Sequence, residues 1–251
     1  MEIGNTHHES PQKILTQNSK LETQNSKPKT QNSKLKTQNS KLILSSWSLA
    51  LGLFLTGIGG AFAPWIWHPG VALQLTGPGL AEFVKFLPEI RLGQIEIERL
   101  YFLLPLFTVM ILLPLFACNK ALLLPAWLRW LLRLAVIPMA LAALSPVWTP
   151  AILTAAEFRL QTILAGAAIG LAVIAPLVKS VPLKILVSAF IIGGFAAVIL
   201  SYRQFTLIQA SIEEAYHQPV LLGWGWWLAA AGIVISIISG AYLAFFSKTP
   251  G

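Results

Sequence analysis

The chain has 251 residues, 55% of them hydrophobic and 11% charged, with a formal net charge of +8 and a mean hydropathy of +0.68. Soluble domains carry roughly 25% charged residues, so this composition excludes an ordinary water-soluble globule and indicates a polytopic membrane protein. The single cysteine, Cys118, excludes an internal disulfide and any thiolate cluster.

Residues 1–43 read as a low-complexity tail. Thr16–Ile43 holds four tandem heptads, TQNSKLE, TQNSKPK, TQNSKLK and TQNSKLI. A coiled coil needs two apolar positions per heptad, and these units supply at most one. Asn, Gln, Ser and Lys bury too little surface to offset the entropy of ordering, so the tail is expected to be disordered. Lys20, Lys27, Lys34 and Lys41 could touch anionic lipid. The repeat is better explained as translated DNA, since ACTCAAA read three times encodes TQNSKLK.

Residues 44–248 read as a membrane domain. Apolar runs of about 20 residues, enough for a ~30 Å hydrocarbon core, fall near Leu44–Ile66, Tyr101–Ala117, Leu131–Val147, Leu160–Val178, Leu183–Ser201 and Leu221–Phe246. Lipid cannot satisfy open backbone groups, so each run is expected to be a helix. Ala61-Phe62-Ala63 mimics a signal-peptidase site, but Pro64 follows it and the apolar run is too long, which predicts an uncleaved anchor.

The first connection, residues 67–100, is the one sizeable polar loop. Leu80, Phe83, Val84 and Leu87 follow the spacing of one helical face. They predict a short interfacial helix on the bilayer surface, or equally one packed over the bundle, with Glu82 and Lys85 pointing away. Gln94–Glu98 alternates like a strand but is expected to lead into the second span, where Glu96 and Glu98 would favour the helix N-terminus. Pro105, Pro114 and Pro138 lie in spans two and three; without charged partners they say little about transport.

With the N-terminus inside, thirteen Lys/Arg fall on inner segments and five on outer ones, while every acid beyond Glu22 is outside. The Lys/Arg bias predicts that both termini are cytoplasmic, in a bacterial plasma membrane. On the inner side, Lys120, Trp127, Arg129, Trp130 and Arg133 form the candidate interaction segment. Small residues four apart, Gly166 and Gly170 in span four and Gly232, Ser236 and Gly240 in span six, mark helix-packing faces. Packing inside the bundle is preferred there over homodimerisation.

Little in the sequence points to chemistry. No charge sits mid-span, where an ion path or proton relay would keep one. Glu213 and His217 share a helical face and His68 could approach them, a weak set for zinc. No catalytic motif is readable, and neither a cofactor nor nucleic-acid binding is expected. The expectation is an all-α bundle of six transmembrane helices that meets lipid and membrane-protein partners as an accessory subunit. The alternatives are the permease subunit of a transporter driven by a separate ATPase and, further behind, an outer-face enzyme or metal-dependent sensor.

Overall fold

The computed structural model describes residues 37–68, 73–178 and 180–246. The chain divides into two units, Met1–Lys41 and Leu42–Gly251. Of the repeat tail, everything before Thr37 lies outside the described residues. Helix α1 runs Thr37–Ala61, so the final heptad, TQNSKLI, is helical and forms its first two turns.

Five helices are long and apolar enough to cross a membrane: α1, the Arg99–Cys118 segment that contains α4 (Leu104–Cys118), α7 (Ala156–Ile174), α8 (Leu183–Tyr216) and α9 (Trp224–Phe246). The protein is therefore a multi-pass integral membrane protein built from α-helices. The third expected span is α5, Ala126–Ala142, which at 17 residues reaches about 26 Å. It begins five residues before the hydropathy run expected there. Its buried face is Leu128, Leu132, Val136, Met139 and Ala140. Its other face exposes Trp127, Trp130, Leu131, Leu134 and Ile137, apolar groups that suit lipid rather than water.

Glycine lets α1 approach α9 and α4 at backbone distance and leaves room for a side chain of α5. A Cβ at Gly52 would lie 2.8 Å from the Gly232 carbonyl, and one at Gly59 would lie 2.5 Å from the Ala229 nitrogen, both on α9. In return, a Cβ at Gly232 would lie 2.6 Å from both the Gly52 carbonyl and the Thr56 nitrogen. Ser236 continues this face of α9, and Gly240 packs on Val187 and Leu49. Gly60 meets the backbone of Leu106 on α4, and Gly57 makes room for Met139 of α5. The interior is otherwise filled by residues such as Leu53, Met110, Leu113, Phe116 and Phe190, each at or below 2% exposure. Pro114 and Pro138 sit inside α4 and α5, which stay continuous through them.

A folded cap closes one end of this bundle. The first span ends at Ala61, and Pro64–His68 becomes strand β1, paired antiparallel with β2 (Leu73–Thr76). Thr76 then caps α2 (Gly77–Phe83), accepting the Gly79 amide. A 3₁₀ turn at Val84–Phe86 and the short α3 (Pro88–Arg91) follow. Gln94–Glu98 is irregular, and Glu98 accepts the Leu100 amide to start a 3₁₀ turn at Arg99–Leu103. Of the two expectations for this helix, its apolar face takes the one packed on protein: Leu80, Val84 and Leu87 are buried in one cluster with Trp65, Ile66 and Phe102. Farther along the chain lies one more short helix, α6 (Pro150–Thr154).

Helix α8 explains how the cap is held. Its 34 residues reach about 51 Å, some 20 Å more than a hydrocarbon core requires. Along the surplus Ile208 and Ile212 are fully buried, and its last residue, Tyr216, lies against Phe83 of the cap.

The two glycine pairs of the predicted packing faces differ sharply. Nothing lies within 4 Å of a Cβ placed at Gly166 or Gly170, so these residues face outward rather than into the bundle. We therefore expect Gly232→Leu to destabilise the protein by about 1–3 kcal/mol or more through overpacking, and Gly166→Leu to stay within about 0.5 kcal/mol of the parent. Thermal unfolding in detergent separates the two; equal stability would contradict the α1–α9 contact.

Candidate functional site

The densest group of charges lies where the cap meets the start of α7. Arg99 Nη1 is 2.8 Å from Glu82 Oε1, and Lys85 Nζ is 2.6 Å from Glu82 Oε2. Lys85 Nζ also reaches Glu157 Oε1 at 2.6 Å, while Arg99 Nη2 donates to the Glu157 backbone carbonyl. Both cations lie against the Phe158 ring, 4.5 and 4.6 Å from its centroid. Local structure makes this possible. One helical turn separates Glu82 from Lys85, Arg99 opens the 3₁₀ turn that leads into α4, and Glu157 sits in the first turn of α7.

Two acids and two bases neutralise one another here, and both carboxylates are engaged. The arrangement suits fastening: it ties the start of α7 to the cap. Sequence spacing could not reveal it, because Glu157 lies 72 residues from Lys85 and 58 from Arg99. Glu82 and Lys85 point away from the buried apolar face as expected, but toward a partner rather than toward water.

Of the weak metal set, Glu213 and His217 shape the end of α8. Glu213 Oε1 accepts Gln209 Nε2 at 3.1 Å and the Val220 amide at 3.0 Å, closing the α8–α9 connection. His217 is exposed and ends α8 in a left-handed conformation, φ 53°, which commonly terminates a helix. His68 ends β1 beside residues outside the described set. Among the described residues no three His, Cys, Asp or Glu side chains group around a common point.

At the other end of the bundle, the basic segment is turned onto its own chain. Arg129 donates from Nη2 to the Leu122 carbonyl at 2.7 Å and from Nε to the Leu124 carbonyl at 3.1 Å. Arg133 donates from Nε to the Ala172 carbonyl at 2.9 Å, satisfying an open carbonyl in the last turn of α7, and covers the Trp130 ring. Asn119 ties the same loop to the Val181 carbonyl, and Ser46 on α1 accepts the Leu123 amide. Lys120 is exposed, and Trp127 packs against Trp47.

No known family matches this chain. Neither a curated protein nor a solved structure is significantly similar to it either. Function therefore has to be argued from the geometry. The polar side chains described above, whether in the cap or beside α7, mostly serve backbone groups or each other.

The charge cluster makes a stability prediction. Arg99→Met should lower stability by about 1–3 kcal/mol, because it leaves Glu82 partly buried with one partner fewer and frees the Glu157 carbonyl. Lys85→Ala should cost less than about 1 kcal/mol, as its amine is more exposed and solvent replaces much of the lost attraction. Thermal unfolding in detergent tests the order of the two effects.

Proposed function

We propose that this protein is an accessory subunit of a membrane complex: a six-span scaffold, both termini cytoplasmic, with the cap on the far side of a bacterial plasma membrane. The observation that carries this is the internal use of the basic segment. Arg129 and Arg133 bond to carbonyls of their own chain, so the arginines a docking ATPase would engage are occupied. That favours a scaffold over the permease alternative.

Helix α5 supplies the sixth span. It runs beside α7 in the opposite direction, with Arg133, midway along α5, on the Ala172 carbonyl and Gln161 Nε2 on the Ala143 carbonyl just past the end of α5. Its outward face is apolar, and the loops before and after it then lie on opposite sides of the bilayer. The Lys/Arg bias orients the whole, with Lys120 and Lys184 inside.

Partners would meet the protein at the outward face of α7, where Gly166 and Gly170 allow a foreign helix to approach closely, and at the mixed-charge rim of the cap. Purification in mild detergent with mass spectrometry of what accompanies the protein tests this. A larger membrane assembly should copurify and should be lost from Gly166→Leu, a variant expected to keep its fold. Copurification of a nucleotide-hydrolysing subunit would replace this proposal with the permease. Recovery of the protein alone would contradict it.

A further inference from the structure

An open groove of about 550 Å³ runs between α8 and α9 on the outside of the bundle. Its floor is apolar, from Val198 and Ile199, and its wall is aromatic, from Tyr202, Trp226 and Trp227. Trp226 is anchored from behind: its Nε1 donates to the buried Ser201 Oγ at 2.9 Å. Trp227 stands edge-on to Trp226 with centroids 4.9 Å apart, and Tyr202 lies 5.6 Å from Trp226 on the other side. The wall is thus fixed, while Tyr202 and Trp227 remain 48% and 59% exposed.

Arg203 stands in this groove, one residue beyond Tyr202. Its side chain is exposed, and among the described residues its guanidinium makes no ion pair, hydrogen bond or ring contact. This sets it apart from Arg99, Arg129 and Arg133, all of which bond within the chain. The groove lining contains no acid, and Glu213, the nearest acid along α8, is committed to closing the α8–α9 connection. Depth along the helix matters too. Arg203 lies 20 residues beyond Leu183, the first residue of α8, about 30 Å along a helix and so one hydrocarbon thickness from that end. The guanidinium therefore reaches headgroup level as Val198 and Ile199 lie one turn deeper.

We propose that this groove is a binding site for an anionic phospholipid from the leaflet on the cap side. Its phosphate pairs with the Arg203 guanidinium, whose donors match phosphate oxygens in pairs. The Tyr202 hydroxyl and the Trp227 N–H border the headgroup, and one acyl chain lies along Val198 and Ile199. An unpaired cation above an apolar trough selects a ligand with an anionic head and a hydrocarbon tail; a free phosphate would lack half of the contacts.

The test uses the full chain in detergent, with native mass spectrometry against phosphatidylglycerol, phosphatidylcholine and glycerol phosphate. The parent should retain phosphatidylglycerol in preference to phosphatidylcholine and should not retain glycerol phosphate. Arg203→Gln should lose roughly fivefold in phosphatidylglycerol retention, Arg203→Lys should lose less, and Trp227→Ala should weaken both lipids. Arg159→Gln, which removes another exposed arginine, should leave the preference intact. Equal retention of the two lipids by the parent, an unchanged preference in Arg203→Gln, or an equal loss in Arg159→Gln would each overturn the site. Unchanged thermal unfolding of Arg203→Gln excludes a folding defect as the cause.

Discussion

The constraint on which this structure depends is that hydrocarbon offers no hydrogen-bond partner, so polar groups near it must be satisfied by the chain itself. Arg133 shows the consequence most clearly. Its guanidinium reaches across from α5 to the final turn of α7, where the carbonyls of Ala172 and Val173 lack intrahelical partners. A charge midway along α5, the eighth of its 17 residues, thereby becomes the cap of a neighbouring helix. Gln161 works in the same way at the opposite end, donating to the Ala143 carbonyl just past the end of α5. The two contacts tie the middle of α5 to the last turn of α7, and the end of α5 to the second turn of α7, in an antiparallel pair.

Where no polar group is needed, close approach replaces hydrogen bonding. Lipid tails are as apolar as leucine, so helices in a membrane gain little from burying apolar surface against each other and much from tight van der Waals fit. The first and last spans use this, with Gly52, Gly59 and Gly232 bringing the two backbones together. The rest of the protein is arranged around that clasp: α4 and α5 meet α1 at Gly60 and Gly57, and the chain leaves α1 directly into the cap. Trp65, 0% exposed, locks that exit by donating from its indole to the Gly59 carbonyl at 2.8 Å.

Much of the bundle was legible in the sequence because a membrane span is written in a run of apolar residues. Its ends were less so, since hydropathy does not say where hydrogen bonding changes pattern. Pro64-Trp-Ile-Trp-His68 is apolar enough to extend the first span, yet it forms a strand, and Pro64 was the sign of the break. The far half of α8 was missed for the opposite reason. Arg203, Glu213 and Glu214 lower its hydropathy, although Phe205, Ile208 and Ile212 keep a helical stripe that could have been followed. Glycines were legible as small residues but not in their direction: spacing cannot distinguish Gly232, pressed against α1, from Gly170, which faces open space. The charge cluster of Glu82, Lys85, Arg99 and Glu157 joins elements far apart in the chain, and no local pattern encodes it.

The proposed six-span topology requires α5 to cross the membrane beside α7, which would place the loops at its two ends on opposite faces. Single cysteines at Lys120 and Trp148, both exposed, introduced into a Cys118→Ser background, test this through labelling of intact cells with a membrane-impermeant thiol reagent. Trp148→Cys should label in intact cells and Lys120→Cys only after permeabilisation. Labelling of both positions from the same side would contradict the account, because α5 would then lie along the bilayer or turn back within it.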